Sequence, residues 1–199
     1  MNIYYSMAAF ALVASISPGP VNIVSLGAGA QYGLGAGMRH VSGATVGFTL
    51  LLLLTGLGLH AALTRWPLLL QLIRWSGIAF FVFMAWKLAC NQGEISGGLA
   101  AGKPGRRPSF MQGAIMQWLN PKAWLAAVAG MGAFASGGDA LLMWQFAAIY
   151  FVVCYPSLAC WVFAGSFLRQ HLHNAARMRV FNRVMAALLA ACAVVLVTG

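Results

Sequence analysis

Apolar residues fall in long stretches along this chain, and polar residues gather in the gaps between them. A helix rising 1.5 Å per residue needs about 20 apolar residues to cross the hydrocarbon core of a bilayer. Six segments reach or approach that length: Ile3 to Leu26, Val41 to Leu63, Leu68 to Ala89, Phe110 to Phe134, Leu141 to Leu168 and Val180 to Val197. The pattern predicts an all-α integral membrane protein with six transmembrane helices. The last segment is the shortest, and Arg183 in its first turn is expected to snorkel into the headgroup layer.

Two segments are interrupted. Ser17-Pro18-Gly19-Pro20 breaks the first about midway, and Asn120-Pro121-Lys122 breaks the fourth. Proline removes a backbone donor and clashes with the preceding turn, so each break frees carbonyl and N–H groups that lipid cannot satisfy. Such breaks persist in a bilayer where they are buried in protein or face a wet cavity, which is how transporters build binding sites. A pair of kinks whose freed groups are satisfied by neighbouring helices is the structural alternative.

From Cys90 to Pro108 the composition turns to glycine, proline and the basic residues Lys103, Arg106 and Arg107, with no apolar period. This reads as a linker, residues 90–108, between the halves 1–89 and 109–199 of a single membrane domain covering 1–199. Each half holds three helices, an odd number, so the halves insert with opposite polarity. Their first helices are the broken ones, which predicts two inverted three-helix repeats with broken helices 1 and 4 meeting near mid-bilayer. Between helices 1 and 2, glycines from Gly27 to Gly47, several four apart, suit close helix packing or, over Gly33 to Gly37, a flexible loop. Arg74, two turns into helix 3, is expected to snorkel, and Asp139 sits in the short turn before helix 5.

Composition narrows the class. With 61% hydrophobic and 7% charged residues and a mean hydropathy of +0.82, the chain has too little polar surface for a soluble globule of 199 residues. Its net charge of +10 would suggest nucleic acid in a soluble protein. Here the basic residues lie mostly at the edges of apolar segments, where the positive-inside bias and anionic headgroups account for them, so the expected partners are lipid bilayer and small molecules rather than nucleic acid. The cysteines Cys90, Cys154, Cys160 and Cys192 show no Cys-x-x-Cys spacing and read as small core residues. His171 and His173 have no acid nearby, so neither a metal nor another cofactor is expected. A cleaved signal peptide is disfavoured, since no basic residue precedes Arg39 and proline follows Ser17.

Ser17-Pro18-Gly19-Pro20 with Asn22, then Gly33 and Gly47, resembles the opening of the LysE/RhtB family of bacterial amino-acid exporters. Gly77 with Ala85-Trp86-Lys87 resembles that family's third segment and Asn120-Pro121-Lys122 its fourth, so the likeness runs through the whole chain, with the cysteine and O-acetylserine exporter branch most similar. The resemblance implies an inner-membrane exporter of amino acids or close derivatives, driven by the ion gradient as an antiporter, and not an enzyme. Many members carry an aspartate directly after Pro-Gly-Pro, where this chain has Val21. With Glu94 in the linker and Asp139 in a turn, no carboxylate remains at membrane depth.

The residues themselves point the same way. A broken helix brings two half-helix ends together: amides opening the second half attract a carboxylate, and carbonyls closing the first attract an ammonium. A zwitterion of small neutral side chain suits such a site. Its expected members are Ser17, Pro18, Gly19, Pro20, Asn22, Gln117, Asn120, Pro121 and Lys122, with Lys122 either pairing with the carboxylate or snorkelling. Without an acid, proton coupling falls to His40, His60, Lys122 or the substrate, and His40 is the foremost candidate because imidazole titrates near pH 6.5 and helix 2 enters the membrane there. A non-transporting structural membrane subunit is an alternative, and in either case the protein is a candidate homo-oligomer. A thiol–disulfide electron carrier would need cysteines on helices 1 and 4, and both lack them.

Orientation follows from the basic residues. Arg39, Lys87, Lys103, Arg106, Arg107, Arg169, Arg177, Arg179 and Arg183 share one side, against Arg65 and Arg74 on the other. This places both termini in the periplasm and the linker in the cytoplasm. A reporter fused after Gly199 is expected to show periplasmic activity; cytoplasmic activity would overturn the topology and the inverted halves with it.

Overall fold

The computed structural model describes residues 2–58, 67–90, 108–135, 139–172 and 174–198, and among them all regular structure is helical. The helices are α1 (Ile3–Ile16), α2 (Pro20–Tyr32), α3 (Leu34–Gly56), α4 (Pro67–Ala89), α5 (Phe110–Trp118), α6 (Pro121–Phe134), α7 (Ala140–Arg169) and α8 (Ala175–Thr198). Both breaks fall where the prolines put them. α1 ends at Ile16 and α2 leaves at an angle of 61°, with Gly19 as its N-cap and Pro20 in its first turn, where a missing N–H loses no intrahelical bond. α5 gives way to α6 in the same manner, with Asn120 as N-cap and Pro121 in the first turn.

The glycine-rich stretch departs from the loop reading. α2 continues to Tyr32 and α3 starts at Leu34, so Gly27 to Gly47 is helical apart from Gly33, whose φ of 81° makes the turn. Packing explains this. A Cβ on Gly29 would run into the Val162 carbonyl of α7, and one on Gly165 of α7 would run into the Leu26 carbonyl of α2. The same reciprocal contact joins α3 and α5, where Gly43 lies against the Phe110 carbonyl and Gly113 against the His40 carbonyl. Backbones that approach this closely replace side-chain interlocking with van der Waals contact over the whole interface, the device that small residues provide in lipid.

Because α3 begins seven residues earlier than the sequence suggests, His40 lies in the second turn of α3 rather than at its start, fully buried. α8 likewise starts at Ala175, which puts Arg183 two turns into the helix, exposed, rather than in the first. Asp139 is the N-cap of α7, its Oδ1 accepting from the amides of Leu141 (2.8 Å) and Leu142 (3.2 Å). Residues 91–107 of the linker, together with His60, Arg65, Trp66, Glu94 and His173, lie outside the described residues, as does the side chain of Arg74.

The core is apolar, but the bundle also exposes large apolar side chains that a water-soluble protein would cover. Large apolar side chains such as Val13, Leu72, Trp86, Leu125, Val152 and Phe167 are exposed, while Ser15, Asn22, Gln31, His40, Gln117, Asn120 and Asn182 are buried. Lipid contact accounts for the first set and hydrogen bonding inside the bundle for much of the second. By length and hydropathy α3 and α7 can each cross a bilayer, and among the described residues the bent α1–α2 pair is long and apolar enough to count as a third if it forms one broken span. α7 is central to the packing, touching α1, α2, α3 and α6, while α4 packs against α8.

The reciprocal glycines give a direct check. Gly165→Leu is expected to force α2 and α7 apart and destabilise the protein by about 3 kcal/mol or more, since overpacking here meets backbone rather than a flexible side chain. Gly35→Ala, where an added Cβ meets nothing within 4 Å, serves as the neutral control. Thermal unfolding in detergent, followed by the monodisperse fraction, distinguishes them; equal stability for both variants would refute the close-packing account.

Candidate functional site

The two breaks come together. The Lys122 ammonium, in the first turn of α6, donates to the Ser17 carbonyl (2.7 Å), the Ser17 hydroxyl (2.8 Å) and the Pro18 carbonyl (3.3 Å). Three acceptors match the three donors of an ammonium. In this structure, therefore, the end of α1 holds the Lys122 ammonium of the chain itself. Gly19 leaves the space for it, since a Cβ there would stand 3.2 Å from Lys122 Cδ and 3.3 Å from Nζ.

Asparagines fix each break from within. Asn22, buried in the first turn of α2, sends its Nδ2 back to the Ser15 carbonyl at 2.8 Å, across the Pro-Gly-Pro corner. Asn120 caps α6 by accepting from the Lys122 amide at 3.2 Å, while its own carbonyl takes the Ala123 amide at 2.9 Å. A tryptophan indole closes one carbonyl beside each break: Trp161 donates to Ile16 O (3.2 Å) and Trp124 to Trp118 O (2.8 Å).

Between the breaks lies a cavity of about 30 Å³, room for about two water molecules. Asn22, Gln117, Asn120 and Lys122 line it, joined by Ser15, Tyr150 and Cys154. Ser15 is buried and its hydroxyl has no hydrogen-bond partner. On the other side of the corner, against α4, α7 and α8, a larger and almost wholly apolar cavity of about 580 Å³ is lined by Pro18, Gly19, Pro20, Asn120 and Lys122 together with Trp161, Met185 and Leu188. Lys122 and Asn120 thus stand in the wall between the two.

A model of the LysE type translocator family matches residues 12–199. The chain belongs to that family. Over 188 residues, 93% of this LysE translocator and 92% of its relative, it is 29% identical to the cysteine/O-acetylserine efflux protein of Escherichia coli (strain K12), with the same figures for the protein of that name from Shigella sonnei (strain Ss046). No solved structure matches it. Family membership makes the protein a membrane transporter rather than an enzyme.

Of the residues expected from sequence, Ser17, Pro18, Gly19, Pro20, Asn22, Gln117, Asn120 and Lys122 gather around the two cavities in this LysE translocator. Pro121 is set back, its ring facing Gly77 of α4. His40 lies apart from both cavities, buried between α3 and α5 with neither ring nitrogen hydrogen bonded. Sequence reasoning missed Ser15, Tyr150 and Cys154. Tyr150 carried a signal, because tyrosine belongs at membrane interfaces and this one lies well inside the longest helix; small residues such as Ser15 and Cys154 carried none.

Asn22→Ala removes the bond across the first break and leaves the Ser15 carbonyl unpaired, which costs about 1–3 kcal/mol. Asn120→Ala removes a helix cap, worth about 1 kcal/mol. Both variants are expected to reach the membrane folded and to transport at least tenfold more slowly. Wild-type rates from both would show that the transport site lies elsewhere.

Proposed function

We propose that the protein exports small neutral amino acids or their close derivatives from the cytoplasm across the bacterial inner membrane, in exchange for protons. The observation that carries this reading is the meeting of two broken helices at a cavity lined by Asn22, Gln117 and Asn120. α2 opens with amides at Val21 and Asn22 ahead of its first intrahelical bond, Ile23 N–H to Gly19 O (2.9 Å), and these suit a substrate carboxylate. Cysteine/O-acetylserine efflux by the relatives named above accords with a small, uncharged side chain.

In this reading the chain forms six spans in two inverted halves. α1–α2, α3 and α4 make the first, and α5–α6, α7 and α8 the second. The packing supports such a relation: the first broken helix lies on α7 while the second lies on α3, and two further contacts, α3 with α7 and α4 with α8, join equivalent elements. Both breaks then stand at the repeat interface, where inverted-repeat transporters hold their substrates.

Charge sets the specificity. Lys122 is the cation at the breaks, Asp139 is occupied in capping α7, and no acid lines either cavity. A substrate with a cationic side chain would find repulsion and no counter-charge at a depth where an unpaired charge costs several kcal/mol. His40 is our candidate for proton coupling because it is a buried imidazole on the helix that packs against both α5 and α6.

The test loads cells with dipeptides of cysteine, serine, threonine, leucine and lysine and follows efflux at two external pH values, for the wild type and His40→Gln. Cysteine, serine or threonine is expected to leave at least tenfold faster than lysine. Preferential lysine export would sink the charge argument, and an unchanged pH dependence in His40→Gln would remove that residue from the coupling scheme.

A further inference from the structure

The ammonium of Lys122 sits on the carbonyls that a substrate ammonium would need. We propose that Lys122 is the resident occupant of the substrate's ammonium subsite, holding the Ser17 and Pro18 carbonyls until the amino group of the exported molecule displaces it. The proposal rests on the amino-acid export reading and assigns the step by which that site exchanges one primary ammonium for another.

Four observations converge. Lys122 Nζ has all three of its donors placed, on Ser17 O, Ser17 Oγ and Pro18 O, so the contact is a complete coordination rather than a grazing one. The remaining carbonyls at the end of α1 are taken as well: Ala14 by the Ser17 hydroxyl, Ser15 by Asn22 and Ile16 by Trp161. An arriving ammonium therefore finds each of these carbonyls already paired, and of the donors bonded there only Lys122 is itself a primary ammonium. The cavity beside this contact, about 30 Å³, is too small for any amino acid, so binding requires the breaks to part. Lys122 bridges those breaks, and it also borders the 580 Å³ apolar chamber, which has room for its four-carbon stem once the head is released.

An exchange of like for like solves a charge problem. A site without a carboxylate cannot bind an additional cation at this depth cheaply. Replacing one ammonium by another leaves the carbonyls equally served. The freed lysine is then next to the substrate's own carboxylate, which also gives the protein a way to select molecules carrying both groups.

Two measurements test this on the purified full-length protein in proteoliposomes. In the first, a small neutral acylating reagent labels the lysines, and mass spectrometry reads labelling at Lys122 relative to exposed Lys87, a ratio that corrects for reagent consumed by added amines. Ethylammonium, which has the amine but no carboxylate, is expected to raise that ratio at least threefold, and propionate to leave it unchanged. In the second, ethylammonium is expected to inhibit cysteine or serine export by Lys122→Met at concentrations at least tenfold below those needed for the wild type, with Lys122→Arg behaving like the wild type. Export of cysteine or serine with an unmoved or falling Lys122 ratio overturns the proposal and leaves the export reading standing. Absence of export of any amino acid overturns the export reading and this proposal with it. Should Lys122→Met fail to fold, the labelling of the wild type decides alone.

Discussion

Seven successive carbonyls, from Val13 to Gly19, run through the corner where the first span breaks, and the bundle is arranged around what they bond to. Unbonded carbonyls in hydrocarbon cost several kcal/mol each, so the corner can exist only if its neighbours bring donors. Val13 and Gly19 are served by helix amides, from Ser17 (3.3 Å) and Ile23 (2.9 Å). The five between take side chains: Ser17 and Asn22 reach Ala14 and Ser15, Trp161 of α7 reaches Ile16, and Lys122 of α6 takes both Ser17 and Pro18. Each donor fixes an element. α6 must begin beside this corner, α7 must pass it, and the second break has to lie against the first for Lys122 to span the gap.

That requirement explains why the glycines fall where they do. α2 can keep its place on α7, and α5 on α3, only if backbones touch, and the reciprocal contacts of Gly29 with Val162, Gly165 with Leu26, Gly43 with Phe110 and Gly113 with His40 allow it. Dense backbone packing then holds two helix pairs whose ends carry the breaks. The corner itself is the part with cavities on both sides.

Where the chain turns was legible in its residues because the physics there is local. Proline disfavours a continuing helix, although α7 runs on through Pro156, and Pro18, Pro20 and Pro121 mark both breaks to within a residue or two, along with the asparagine that caps α6. The glycine run misled because glycine has two opposite uses, freedom in a loop and closeness in a contact, and only the partner surface distinguishes them. Gly33 is the one position in that run where a positive φ is required. The misplaced start of α3 carried His40 with it, from the expected interface into the packed interior. Lys122 was found as a residue but not as a contact, since a lysine can extend in many directions and its choice here depends on carbonyls 105 residues earlier in the chain.

Charge at membrane depth needs compensation, and this chain supplies it without an acid. With Val21 following the Pro-Gly-Pro corner, the Lys122 cation is held by backbone carbonyls and one hydroxyl, much as an ion channel filter holds a cation with neutral oxygens. Carbonyl dipoles differ from a carboxylate in one respect that bears on transport. An acid beside Lys122 would form an ion pair whose two members must separate against strong attraction, whereas neutral oxygens hold an ammonium without that full charge–charge attraction. The same oxygens cannot take up a proton in place of the cation, as a carboxylate can. A proton carried through the proposed cycle would need a titratable group other than these oxygens, and the bonding at the Pro-Gly-Pro corner holds one such group, the Lys122 amine, across the two breaks.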